Sequence, residues 1–156
     1  MMRRALLSGL LAAALATAAW AADWNKIFYV GGTVPVRTGG YDWNTQLTVT
    51  AEVIVVTIES ATVFSHSQTV RISTAQVVSI WSGALAWRKV SEVPGAHVPS
   101  KPPSLFGMMA DSTQESSIGI IYEQPGGKRG ALLLESFYTP FILIRLKEVT
   151  GKVMEK

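Results

Sequence analysis

The chain predicts a mostly β domain, an α+β fold of about seven strands with one C-terminal helix, on three observations. From Lys26 onward Val, Ile, Thr, Tyr and Phe gather in short runs broken by Gly, Pro, Ser and Asn, the punctuation of consecutive strands. Between Thr45 and Glu59, Leu47, Val49, Ala51, Val53 and Val55 recur at period two, which places them on one face of an extended chain, with Ile54, Val56 and Ile58 on the other. Near the C-terminus the period lengthens: Ile142, Leu146 and Val149 recur at spacings of four and three, one face of a helix.

Taken in order, Ile27 to Val34 is the first strand, and its Gly31-Gly32 pair, with no side chains to pack, predicts a bulge or a close backbone crossing. Pro35 limits its pairing, and Arg37 to Asn44, with Gly39-Gly40, reads as a turn. Thr45 to Glu59 is long for one strand, so it reads as a hairpin turning near Ala51-Glu52; a single bent strand is the alternative. Thr62 to Phe64, Gln68 to Ile72 and Gln76 to Trp81 are further extended pieces, the last stopped by Ser82-Gly83, and Ala84 to Val90 reads as an edge strand. Glu92 to Ser104 holds four prolines and no apolar period, the composition of a solvent-facing loop or partly mobile arm. Ser117 to Glu123 and Gly130 to Glu135 are two strands joined through Pro125-Gly126-Gly127, a hairpin signal. Thr139-Pro140 offers a capping hydroxyl and a proline suited to the first helical position, and Gly151 a left-handed stop, so the helix is expected over about 140–150. On propensity alone Phe141 to Leu146 also suits a strand.

Residues 1–21 have the layout of a cleaved secretory signal peptide, which leaves 22–156 as a single domain. Met1-Met2-Arg3-Arg4 is cationic, Ala5 to Ala19 is almost wholly apolar, and Ala19-Trp20-Ala21 is a small-x-small cleavage site. The apolar run is short for a bilayer span and no stop-transfer segment follows, so an exported protein, periplasmic or secreted, without a stable membrane anchor after processing is expected. A buried N-terminal helix is the competing reading, but it would show a polar face. Of 14 Lys and Arg, two lie in this leader, which leaves 12 against 11 Asp and Glu, a net charge of +1. Charges so few and scattered give no footprint for nucleic acid. The chain has no cysteine, which excludes disulfides, thiolate metal sites, a thiol nucleophile and a lipid-modified cysteine.

Several segments carry a family likeness: Tyr29 to Pro35, Leu47 within a strand, Val70-Arg71-Ile72 before Val77-Val78-Ser79-Ile80, Ile118 to Tyr122, and the closing Leu146 to Lys152 with its Thr150-Gly151-Lys152 end. They resemble secreted bacterial proteins of unknown function that carry a pleckstrin-homology-like domain. That resemblance implies a bent β-sandwich or barrel of two crossed sheets, plugged at one end by the C-terminal helix. It covers most of the processed chain and is distinctive at the two ends; the stretch from Ser82 to Lys89 and the proline-rich interval match no pattern in the group. Because the group is itself uncharacterised, the resemblance implies a fold and no activity.

Candidate chemistry is sparse. His66 and His97 are the only imidazoles, neither lies in a hydrolase motif, and no Gly-x-Ser-x-Gly elbow is present, so no catalytic residue is assigned. No spacing suits a metal, and Thr150-Gly151-Lys152 ends a helix where a phosphate loop must begin one, so no metal or cofactor is expected. Lys128-Arg129 in a turn is a weak candidate for an anion or membrane surface, since two cations attract little at physiological salt. Trp81, Trp87, Arg88 and Lys89 combine aromatic anchors with cations, the composition of a partner surface, although Trp81 after Ile80 also suits a core. Two functional classes follow. The first is a non-catalytic binding or scaffold module of the cell envelope that takes a protein or peptide on a sheet edge or in the groove beside the C-terminal helix. The second is a small-ligand carrier or minor hydrolase with a pocket in the β layer.

Overall fold

The computed structural model describes residues 20–38, 43–61, 66–100 and 115–154. The leader through Ala19, Gly39-Gly40, the extended piece from Thr62 to Phe64, and residues 101–104 of the proline-rich interval lie outside the described residues. The strands are β1 (Ala22–Gly32), β2 (Thr45–Val49), β3 (Val53–Ile58), β4 (Gln68–Ser73), β5 (Val77–Ser82), β6 (Ser117–Glu123) and β7 (Arg129–Ser136); the helices are α1 (Gly83–Ser91) and α2 (Thr139–Thr150). All strand pairs are antiparallel, in one sheet of order β4-β3-β2-β1-β7-β6-β5. The sheet stays open, with β4 and β5 as its two ends.

Strand β1 holds the two halves together, pairing with β2 along its first part and with β7 along its second. It begins at Ala22, five residues before the expected start. Its register slips between Tyr29 and Gly31, where a bulge was expected. The close crossing is there as well: a Cβ on Gly31 would lie 2.3 Å from the His97 carbonyl oxygen, and one on Gly32, whose φ is 142°, 2.1 Å from that of Ala131. Only glycine fits that approach.

The β2–β3 hairpin turns at Thr50–Glu52, as the length of the run predicts, with the Thr50 amide donating to the Val53 carbonyl at 2.9 Å. The turn changes the parity, however. Leu47 and Val49 pair with Val56 and Ile54, so Ile54, Val56 and Ile58 share their buried face while Val53 and Val55 point to the half-exposed side. On the same inner face lie Ile72, Ile80, Ile118 and Leu132, and α2 lays Ile142 and Leu146 against this core, both fully buried. Gly151 ends α2 at φ 63° with its amide donating to the Lys147 carbonyl, the left-handed cap expected from sequence. The Thr139 hydroxyl is not a cap. It donates to the Ser136 and Ser116 carbonyls and so fastens the start of α2 to β7 and to the residue before β6.

A further expectation needs correction. Ala84 to Val90 is no edge strand: Gly83–Ser91 is helix α1, because Gly83, Ala86 and Val90 fall on one face at spacings of three and four and bury it against β6. The docking is close, for a Cβ on Gly119 would meet the Ala86 Cα at 3.2 Å and the Val90 Cγ2 at 3.0 Å. The described part of the proline-rich interval is, as expected, mostly exposed loop, and it is anchored at two points: Val93 is buried, and the Gly32 and His97 backbones exchange hydrogen bonds of 3.0 and 2.8 Å. With α1 this segment forms a second, smaller apolar cluster with Ile121, Ala131 and Leu133 on the outer face of β6 and β7. No helix among the described residues is long and apolar enough to cross a membrane.

Candidate functional site

The four residues expected at a partner surface are gathered at α1 and β5, but they face different ways. Trp87 turns toward the sheet, half-buried, and its indole Nε1 donates to the Ser117 hydroxyl at 2.7 Å. Trp81 packs against the same outer cluster, donating through Nε1 to Ser79 Oγ at 2.9 Å. Lys89 sits over the Trp81 ring, its Nζ 5.0 Å from the centroid, and pairs with Glu92 at 3.8 Å. Arg88 alone points fully outward. The helix thus separates side chains that a strand would have displayed as an edge.

Beneath Trp87 lies a group not expected from sequence. Glu135 of β7 is fully buried opposite Phe28 of β1 and Ser117 of β6. Its Oε1 accepts from the Ser117 hydroxyl at 3.3 Å, and its Oε2 has no hydrogen-bond partner among the described residues. Burial pushes this carboxyl up from 4.5 to about 7, against a smaller opposing pull from the Ser117 hydrogen bond. The chain Trp87–Ser117–Glu135 ties α1 to both strands below it. Its members lie 30 and 18 residues apart in sequence, so no local motif announces them.

Lys128 and Arg129 are exposed in the β6–β7 turn and line an open cleft of about 520 Å³ with Thr33, Pro94, Gly95 and Gln124. A second open cleft of about 530 Å³ lies across Gly31 and Gly32, lined by Tyr29, Val34, Arg37, Thr38 and His97. There the Tyr29 hydroxyl donates to the Val34 carbonyl at 3.0 Å, and burial raises its pKa above the ordinary tyrosine range. His97 is held in place by its backbone, while His66 stands exposed just before β4 at the far end of the sheet, so the fold does not bring the two imidazoles together. Among the described residues no three of His, Asp and Glu gather as a metal site.

The two ends of the sheet differ. At β5 the chain bridges its own edge at one residue: the Ile80 amide donates to the Lys152 carbonyl at 3.0 Å, and the Met154 amide to the Ile80 carbonyl at 2.8 Å, a parallel bridge. Among the described residues strand β4 pairs with β3 alone, so its outer side meets no other described strand of the sheet. Comparison with protein-family models, curated proteins and solved structures gives no match for this chain.

Proposed function

We propose that this is an exported, non-catalytic binding or scaffold module of the cell envelope with a pleckstrin-homology-like fold, which takes a protein or peptide by strand addition along β4. The single observation that carries the reading is the edge at β4, whose backbone donors and acceptors on one side are a template for an added strand. At the other end of the sheet the β5 edge is bridged at Ile80 by Lys152–Met154, which leaves β4 as the end that meets no further strand among the described residues. The fold assignment is supported by the strand order, in which β1 serves both halves and one C-terminal helix packs on the inner core; helix α1 between β5 and β6 is an elaboration of that plan. A carrier with an internal pocket is less well supported, because Ile, Leu and Val side chains fill the inner face.

The test is a photo-crosslinking residue placed at exposed Arg71 in β4, with a second at exposed Arg88 in α1 as the comparison, both in the native envelope. One adduct, identified by mass spectrometry, formed from Arg71 and not from Arg88 is the expected result. Adducts from Arg88 alone would move the partner to α1, and a reproducible turnover lost on changing His66 or His97 would overturn the non-catalytic reading.

A further inference from the structure

Strand β4 carries a charge that the fold leaves unanswered. It runs Gln68-Thr69-Val70-Arg71-Ile72-Ser73, and its parity is set by Ile72, fully buried in the inner core, and by half-buried Val70, which packs against the same core. Thr69 and Arg71 therefore stand on the outer, wet face, and Arg71 is exposed. Its neighbour on β3 is Val55, and the same row continues through Thr48 of β2 to Asp23 of β1. Asp23 is three strands away, about 14 Å at the ordinary strand spacing, and it already accepts from the Thr48 hydroxyl at 2.6 Å. Salt screens an exposed pair at that separation. The ion pairs Lys89–Glu92 and Arg145–Glu148 lie at the helices, and among the described residues Arg71 has none.

We propose that the segment taken up along β4 is an acidic-apolar strand of a partner protein, with Asp or Glu opposite Arg71 and an apolar residue opposite Val70; this rests on the reading of β4 as the edge at which a partner adds. The apolar half follows from parity. A strand added to a sheet continues its two faces, so the residue beside Val70 falls on the core side and the residue beside Arg71 on the wet side. Half-buried Val70 leaves apolar surface at that end of the core, which an incoming apolar side chain covers. The acidic half follows from charge. A cation on an edge strand deters indiscriminate pairing. The same cation becomes a filter, because opposite charges facing each other across a strand pair stabilise it and like charges destabilise it. Arg71 thus disfavours a basic segment, and a second copy of β4 in the register that sets Arg71 against Arg71, and it favours an acidic one.

The experiment places a photo-crosslinking residue at exposed Gln68, which leaves Arg71 in place, in the full chain in its native envelope. The chain with Arg71 intact should give one adduct, and peptide sequencing by mass spectrometry should find an Asp or Glu three residues from the crosslinked position, the spacing between Gln68 and Arg71. Adding Arg71→Glu should lower the adduct yield at least about threefold, Arg71→Lys should retain it, and high salt should reduce it, as for an exposed charge pair. The urea midpoint of Arg71→Glu should match that of the parent, since the side chain is exposed and holds no ion pair among the described residues. The position of the acid in the adduct tests the same point without any change at Arg71. An adduct with no acid at that spacing, or one undiminished by Arg71→Glu, would overturn the acidic partner and leave strand addition at β4 standing. No adduct from Gln68, or one joined to this chain itself or to a second copy of it, would overturn strand addition by a partner and this inference with it.

Discussion

Replacing Glu135 by Gln should raise the stability of the domain at alkaline pH and leave it nearly unchanged at acid pH. In the unfolded chain this carboxyl ionises near 4.5, and in the folded protein burial moves it to about 7. Below about 4.5 it is protonated in both states and costs nothing. Between the two values the folded state holds a proton that the unfolded state has released, so stability falls as pH rises, and above about 7 the whole cost is present. At about 1.4 kcal/mol per pH unit the interval corresponds to about 3 kcal/mol, an upper value because any solvation of the ionised carboxylate lowers it. Gln keeps an acceptor for the Ser117 hydroxyl and removes the charge, so the comparison isolates ionisation. Urea unfolding of both proteins from pH 4 to pH 9 measures it. The wild-type curve should descend relative to the variant through the range from about 4.5 to 7, leaving the variant more stable by about 2–3 kcal/mol at the alkaline end. Parallel curves, or a variant weaker at every pH, would refute the argument and mean that the ionised carboxylate is solvated in the folded protein.

Truncating Leu146 to Ala, in the buried face of α2, should cost about 2–5 kcal/mol in urea unfolding, and a loss under about half a kcal/mol would mean that α2 contributes little to the core. Gly119→Val should destabilise by about 1–3 kcal/mol, with α1 amides gaining hydrogen-exchange rate before those of β2 and β3, because the added methyls displace Ala86 and Val90. Ser117→Ala strands the Trp87 indole and deprives Glu135 of its hydrogen bond, so a loss of about 1–3 kcal/mol and a shifted Trp emission are expected. Intact mass of the exported protein should correspond to an N-terminus at Ala22, since that cut sets Ala19 and Ala21 at the two small-residue positions; a retained Met1 would overturn the localisation.

The parts of this fold that sequence makes legible are those whose signal is local. The turns near Ala51-Glu52 and Pro125-Gly126-Gly127, the Gly31-Gly32 bulge and the cap at Gly151 each depend on backbone conformations that a few adjacent residues dictate. Helix α1 was not legible in the same way. Nine residues in which Ala84, Leu85, Ala86, Trp87 and Val90 are the apolar ones satisfy a strand pattern as readily as a helix pattern, and the helix packs where Gly119, 28 residues beyond its last residue, lacks a side chain. The candidate site suffers from the same distance. Trp87 was picked out for its aromatic surface, yet its partner is Ser117, and Glu135 reads from sequence as an ordinary polar end to a strand.

The burial of β6 and β7 joins these gaps into one physical cause. Six consecutive residues, Ser117 to Tyr122, are buried in β6, and seven, Gly130 to Ser136, in β7, whereas β3 alternates buried and half-buried side chains as a strand with one wet face must. The sequence carries that contrast: Ile118-Gly119-Ile120-Ile121-Tyr122 and Ala131-Leu132-Leu133-Leu134 are continuous apolar runs, while Gln46 and Thr48 break the apolar positions of β2. A continuous run in an antiparallel strand demands a covering layer on each face. One helix at the C-terminus can supply only one of them, so a second layer has to come from between β5 and β6, where α1 and the segment from Val93 to Val98 lie. The same reasoning explains why Glu135 ionises with difficulty: it occupies an outward position on a strand whose outward side is covered. The half of the sheet without that layer, β2 to β4, keeps polar Gln46, Thr57, Thr69 and Arg71 toward water and ends at β4, which among the described residues pairs only with β3. The doubly covered half and the half with one wet face thus meet at β1 within one sheet.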